Sequence, residues 1–134
     1  MSHTVYIVVL DERADLHTFK NNHDADKKIT CSYHDVHTHI LEKSRNYVVI
    51  VTPNHRTDEI VLKQLLEKKL SYLGLMGSPA KIKRIFTTLK QAGISPEKLS
   101  QLQIPIGLPI RSHTPTEIAI SIAAEIILFK NKVN

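Results

Sequence analysis

Two short runs constrain this chain more than anything else in it: VYIVVL (Val5 to Leu10) and YVVIVT (Tyr47 to Thr52). Each is almost continuously apolar and rich in β-branched residues, with no polar–apolar alternation. Such a run reads as a strand covered on both faces, which is the habit of parallel sheets with crossover helices above and below. The neighbouring segments supply the rest of the alternation. A weak helix is expected near Arg13 to Asn21, a short strand at Lys28 to Ser32 (KITCS), and a helix at Asp35 to Lys43 with Val36, Ile40 and Leu41 on one side. Asp58 to Lys69 reads as a helix with Val61, Leu62, Leu65 and Leu66 on its apolar face, and Tyr72 to Met76 as the fourth strand. Ile82, Ile85, Phe86 and Leu89 then recur at one-faced helical spacing, and Gly93 stands where a C′ residue ends that helix. Strand alternating with helix implies a doubly wound α/β fold. With no repeat, low-complexity stretch or dividing linker, one domain over residues 1–134 is expected.

The last third of the chain is organised by proline. Ser78-Pro79, Ser95-Pro96 and Thr114-Pro115 each place a hydroxyl at an N-cap and Pro at N1, where its missing N–H costs nothing. Thr114 and Glu117 make a capping box, and IPIGLPI (Ile104 to Ile110) is too proline-rich for a central strand. The helix that follows, TEIAISIAAEIILF, is apolar nearly all round except for one line of Glu117, Ser121 and Glu125. A helix of that kind needs cover on most sides, so a second subunit or another domain is expected against it. Glu117 is accounted for by capping. Ser121 and Glu125 are not, and an interface is the expected place for them, because an unpaired buried Glu is costly.

Composition narrows the function. The 134 residues are 42% hydrophobic and 23% charged, which suits a folded domain with a core. The formal charge of +5 is spread over several separate segments with acids among them, aromatics are 5% and Trp is absent, which argues against a nucleic-acid surface. Val5 to Leu10 is too short for a membrane span or signal-peptide core, and no longer apolar stretch replaces it, so no membrane association is expected. The lone Cys31 cannot form an internal disulfide, which fits a cytoplasmic setting. In a strand-like segment it reads as a small core residue.

In doubly wound sheets, ligands sit at the carboxyl ends of the strands. Here those ends carry Asp11-Glu12-Arg13, Thr52-Pro53-Asn54-His55 and Gly77-Ser78. Asp11, Thr52, His55 and Gly77 are therefore expected at one crevice, with Asp11 suited to ribose hydroxyls. Plainer alternatives stand beside this: Asp11 as a loop acid, His55 as a solvated loop residue, and the nearby Asp58 as a helix cap. YLGLMGSPAKIKR (Tyr72 to Arg84) poses the same choice, between a turn that holds an anion and a well-capped helix. HDVHTH places His34, His37 and His39 near Asp35, which could ligate a metal but reads equally as a polar loop and helix start, and no metal residue is assigned. There is no Gly-x-Ser-x-Gly, Walker or Cys-x-x-Cys motif.

YLGLMGSPAKIKR, PIGLPI and TPTEIAISIAAEII together resemble the C-terminal Rossmann-type domain of the XdhC/CoxI family, accessory proteins of xanthine dehydrogenase and related molybdenum hydroxylases. YVVIVTPNHRTD fits that family's strand followed by Thr52, His55 and Asp58, and VYIVVLDER its strand ending in an acidic pair and Arg13. The resemblance implies a Rossmann-like three-layer sandwich with a mostly parallel sheet of about four strands. It implies an accessory role in molybdenum cofactor handling or insertion, not a complete enzyme, with no catalytic residue assigned. A nucleotide or pterin-like anion would bind at Asp11, Arg13, Thr52, His55, Gly77, Ser78 and Lys81. The implied cofactor is the molybdenum cofactor (molybdopterin) or NAD(P). The implied partners are a molybdenum hydroxylase apoenzyme or a separate XdhC/CoxI domain, together with a homodimer.

The sequence departs from the family pattern in three places. The opening strand with its Gly-x-Gly-x-x-Gly-like turn has no counterpart, since all four glycines, Gly74, Gly77, Gly93 and Gly107, lie in the second half. The chain is thus expected to begin at the strand that would come second, without the usual pyrophosphate cradle. The family's separate cysteine-bearing N-terminal domain is not represented. Pro79 and Ala80 stand after Gly77-Ser78 where basic residues are usual, leaving Lys81 and Arg84 one turn in. The alternative expectation is a non-catalytic, dimerising protein-interaction module that has lost nucleotide binding.

Overall fold

The chain, seen in a computed structural model, is described over residues 5–42 and 45–132. It divides into two compact units, one ending at Ile40 and one starting at Leu41.

The first unit holds β1 (Val8–Asp11), a short α1 (His17–Lys20), β2 (Lys27–Thr30) and a 3-10 helix over Tyr33–His39. β1 and β2 pair in parallel, with Val8 opposite Lys27 and Asp11 opposite Thr30. Phe19, Tyr33 and Val36 are its buried apolar side chains. The sequence predicts a strand at Val5 to Leu10 covered on both faces, and the structure corrects this. Val5, Tyr6, Ile7 and Val8 are 61%, 67%, 44% and 38% exposed. Among the described residues β1 pairs only with β2: the carbonyls of Ile7 and Asp11 accept bonds from that side. By the alternation of an extended chain, the N–H and C=O of Val8 and Leu10 point to the other, open edge. The expected helix at Asp35 to Lys43 is the 3-10 helix instead. It is capped by Ser32, whose Oγ accepts from His34 N at 3.2 Å, and is built of His, Asp and Thr, which hold an α-helix poorly. Lys43 lies outside the described residues.

The second unit holds β3 (Tyr47–Ile50), α2 (His55–Leu65), β4 (Tyr72–Leu75), α3 (Pro79–Gln91), α4 (Pro96–Ser100) and α5 (Pro115–Asn131). β3 and β4 pair in parallel from Tyr47 opposite Tyr72 to Ile50 opposite Leu75. β4 is the buried strand, covered along its whole length. Its second edge is closed by the proline-rich segment: Gln103 N donates to Leu73 O, Leu75 N to Gln103 O and Ile106 N to Leu75 O, at 2.9–3.3 Å. Gly74 lets that segment lie close, since a Cβ there would meet the Ile106 side chain at 2.6 Å. β3, expected to be covered on both faces, keeps only Ile50 buried, and Val49 and Val51 are 39% and 58% exposed. Asn46 and Ile50 carbonyls bond toward β4, so Val49 faces an open edge, like Val8 in the first unit. The core of this unit is Leu62, Leu65, Leu75, Ile85 and Leu89, all at 0% exposure. Four parallel strands thus form as two separate pairs among the described residues, where one continuous sheet was expected.

All three Ser/Thr-Pro helix starts fold as the sequence predicts. Ser78, Ser95 and Thr114 accept from the N–H of Lys81, Lys98 and Glu117, and Thr114 with Glu117 closes the capping box. Gly93 follows the α3 cap with φ +86°. The orientation of α5 differs from expectation. Two of the three residues of its polar line face inward, Ser121 at 2% and Glu125 at 8% exposure, while Glu117 stays exposed at the cap and Ile120 and Ile127 are 55% and 56% exposed. Ser121 and Glu125 bracket the proline-rich segment. Glu125 Oε1 accepts from Tyr72 Oη at 2.6 Å and from Gly107 N at 3.0 Å, and the Ser121 carbonyl accepts from Leu108 N at 3.1 Å. Burial and the Glu125 carboxylate hold the Tyr72 phenol far above its ordinary range. Gly107 is required twice over: its φ is +95°, and a Cβ would lie 2.4 Å from Ser121 Oγ. Phe129 packs edge-on to Tyr72, with ring centroids 5.2 Å apart. The interface expected at Ser121 and Glu125 is therefore an internal one.

Candidate functional site

The carboxyl ends of β3 and β4 run into the N-termini of α2 and α3, and one buried acid ties them together. Asp58 is wholly buried one turn into α2. Its Oδ1 accepts from the N–H of Thr52 at 3.0 Å and from Thr52 Oγ1 at 2.6 Å. Its Oδ2 is in ionic contact with the Lys81 ammonium, which comes from the first turn of α3 and donates its aligned bond to the Met76 carbonyl at 2.8 Å. One carboxylate thus pins the end of β3, and one lysine the end of β4. A charge pair of this kind is weak evidence of stability, but it ties the two strand ends together, and removing Lys81 would strand the buried Asp58 carboxylate. The helix cap that the sequence offers to Asp58 belongs to Asn54, whose Oδ1 accepts from the N–H of Arg56 and Thr57 at 3.0 and 3.1 Å, so α2 starts at His55 rather than Asp58.

The other candidates of this unit fall around that lock. Gly77 makes room for Lys81: a Cβ there would stand 2.8 Å from Lys81 Cδ. Its lack of a side chain is used by the lysine stem. Ser78 is exposed and caps α3, its Oγ accepting from Lys81 N at 3.3 Å. His55 is half-buried at the first position of α2. Thr52, His55, Gly77 and Ser78 thus lie at two helix starts fed by adjacent strands. The Lys81 ammonium, expected on an anion, is turned back onto Asp58.

In the first unit, Asp11 and Arg13 form a forked pair. Asp11 Oδ1 accepts from Arg13 N and Nε, and Oδ2 from Arg13 Nη2, all at 2.9 Å; Tyr33 Oη adds a bond to Oδ1 at 3.0 Å. The Arg13 guanidinium, ahead of every other cause, holds the Asp11 carboxyl below its usual range. Burial first, then the bond to Asp11, pushes the Tyr33 phenol up to about 12. Burial also pushes the Cys31 thiol up, with Asp35, Asp11 and Glu12 adding to it. A thiol so held is a poor nucleophile. His34, His37 and His39 are exposed along the 3-10 helix, and no cluster of three or more metal-ligating side chains occurs among the described residues.

Sequence reasoning passed over Asp58 as the organising residue. The signal was present as a Thr ending one strand, an acid six residues on, and a lysine in the first turn of the next helix, but only the fold shows that the three meet.

Comparison with known proteins bears on this arrangement. The XdhC Rossmann domain family matches residues 2–126. The uncharacterized protein YqeB of Escherichia coli is 38% identical over 86 residues, 64% of this chain and 16% of YqeB. A probable xanthine dehydrogenase subunit from Bacillus subtilis is 34% identical over 85 residues, 63% of this chain and 24% of that protein. A crystal structure described as a xanthine dehydrogenase from Bacillus halodurans superposes with a TM-score of 0.79 at 32% identity, covering 96% of this chain and 36% of that one. The chain therefore spans between about a sixth and a third of the proteins it matches. On this match over nearly its whole length, the chain belongs to the XdhC Rossmann domain family.

Proposed function

We propose that this chain is an accessory domain serving a xanthine dehydrogenase-type molybdenum hydroxylase, and that it binds a nucleotide or pterin-like anion at the strand carboxyl ends. The observation that carries the proposal is the Thr52–Asp58–Lys81 lock, which fixes two helix N-termini side by side above one strand pair. Backbone N–H groups at such starts favour anions. Thr52, His55, Gly77 and Ser78 are the residues of this unit that would meet the ligand, with Lys81 positioning them; Asp11 and Arg13 are the candidates of the first unit. Molybdopterin is the first ligand to test and NAD(P) the second. The client is a molybdenum hydroxylase apoenzyme or a separate XdhC/CoxI domain, in a cytoplasmic setting. The names of the Bacillus relatives support this class of client.

Calorimetric titration of the chain with molybdopterin, NAD(P) and ADP tests the ligand. Saturable heat and a raised melting temperature are expected with one of them, both weakened by Thr52→Val. Absence of heat and of any thermal shift with all three removes the ligand.

A second function, that of a non-catalytic dimerising module, is favoured by a separate observation. The Asp11 carboxylate at the end of β1 and the Lys81 ammonium in the first turn of α3 are already engaged internally, whereas Ile120, Ile127 and Leu128 leave the outer face of α5 apolar and open.

A further inference from the structure

The turn from β4 into α3 offers donors to a ligand and sets an obstacle beside them. The N–H groups of Gly77 and Ser78 have no acceptor among the described residues. They leave a buried strand and open α3, so they are the donors an anion at this strand end would use. The stem of Lys81 lies across the same glycine. A Cβ at Gly77 would meet Lys81 Cδ at 2.8 Å, Cε at 3.2 Å and Cγ at 3.4 Å. The stem is held by its tip, where the ammonium donates to the Met76 carbonyl at 2.8 Å and contacts Asp58 Oδ2. Releasing that tip has a consequence for Asp58. The acid is wholly buried, its Oδ2 has no hydrogen-bond partner, and the Lys81 ammonium is what compensates it. Thr52 serves only Oδ1. No other charged side chain among the described residues reaches the carboxylate: β3 brings Thr52, the end of β4 brings the Met76 carbonyl that holds the lysine, and α2 itself brings Thr57, bonded to Thr52 Oγ1. His55, half-buried three residues earlier on α2, is the titratable side chain whose protons must be told apart from those of Asp58. The Lys81 side chain keeps 24% exposure, so the ammonium has a way out that the carboxylate lacks. A buried carboxylate left without its cation is neutralised by a proton.

We propose that Lys81 is an autoinhibitory latch: its stem closes the bare side of Gly77, and an anion that takes the Gly77 and Ser78 N–H groups draws the ammonium off Asp58 and onto itself, while Asp58 takes one proton from solvent. Thr52 keeps its bonds to Oδ1 in both positions of the lysine. Anion binding is thereby coupled to proton uptake, and affinity rises as pH falls. The latch rests on the anion-binding function proposed above and adds how that site opens.

Calorimetry on the full chain tests it, with ADP, NAD(P) and molybdopterin each titrated in two buffers of different ionisation enthalpy. For a ligand that binds, the unaltered chain is expected to take up about one proton more than Asp58→Asn does, and its affinity to rise about tenfold more per unit fall in pH. The variant keeps His55 and the ionisations of the ligand, so the difference belongs to Asp58. Asp58→Asn is also expected to bind more tightly, because no ion pair has to part. Carbon NMR of the Asp58 side chain is expected to show a carboxylate before titration and a carboxylic acid at saturation. If Asp58→Asn fails to fold, this signal from the unaltered chain decides alone. No extra proton uptake, weaker binding by Asp58→Asn, or a carboxylate that persists at saturation overturns the latch and leaves the anion site standing. Absence of heat with all three ligands removes the anion site, and the latch falls with it.

Discussion

Asp58 and Lys81 illustrate how unequal the two ends of an ion pair are. The Asp58 side chain has no access to solvent, while that of Lys81 retains 24%. Asp58→Asn leaves an ammonium that can swing outward and keep its bond to Met76 O or water. Lys81→Met leaves a carboxylate that cannot move, served only by Thr52. Lys81→Met should therefore be the costlier change, about 3–5 kcal/mol against roughly 1–3 for Asp58→Asn, and chemical denaturation of the two variants checks the order. Tyr33 supplies a second test at this scale. Its folded value of about 12 stands above the ordinary 10.0. A group raised on folding contributes stability that is complete below 10.0 and is lost as pH rises through about 12. Ultraviolet alkaline titration should show a phenol component near 12 that Tyr33→Phe removes. Asp11 has the opposite sign: its contribution is complete above the ordinary 3.8 and is lost as pH falls through its lowered folded value.

At the scale of elements, the edges of β1 and β3 carry the consequence. Ile7 and Asp11 carbonyls bond toward β2, and Asn46 and Ile50 carbonyls toward β4. Amide protection should alternate along each strand: Val9 and Asp11 slow against Val8 and Leu10, and Val48 and Ile50 slow against Tyr47 and Val49. Hydrogen exchange followed residue by residue reads this pattern directly, and uniform protection along β3 would mean its open edge is paired in solution. The same elements show what the sequence could tell. Hydrophobic runs placed β1, β3 and β4 within a few residues, and the Ser-Pro and Thr-Pro caps placed three helix starts, because both signals are local. Burial was misjudged at Val5 to Val8 and at Val49, because a β-branched run shows that a strand can be covered and not whether a neighbour is there to cover it. α5 was misjudged for a related reason. An isolated Glu125 looks like a liability, and only the backbone N–H of Gly107 and the phenol of Tyr72, 18 and 53 residues away, turn it into a bracket.

Across the whole molecule, the sequence by itself determined the α/β alternation, the parallel sense of the strands, the helix caps and the family, since these rest on local periodicity, on turn chemistry and on motifs. It also determined which residues stand at strand ends: Asp11, Arg13, Thr52, His55, Gly77 and Ser78. The tertiary structure decided what those residues touch. It gave Asp11 to Arg13 and Tyr33, set Lys81 against the Asp58 carboxylate, and assigned the bareness of Gly77 to a lysine stem. It also set Ser121 and Glu125 of α5 inward and Ile120 and Ile127 outward. The physical reason is the same in each case. A strand or a cap is chosen by forces acting over a few residues, whereas the partner of a buried polar group, and the face a helix presents, are chosen by segments that meet only once the chain has folded.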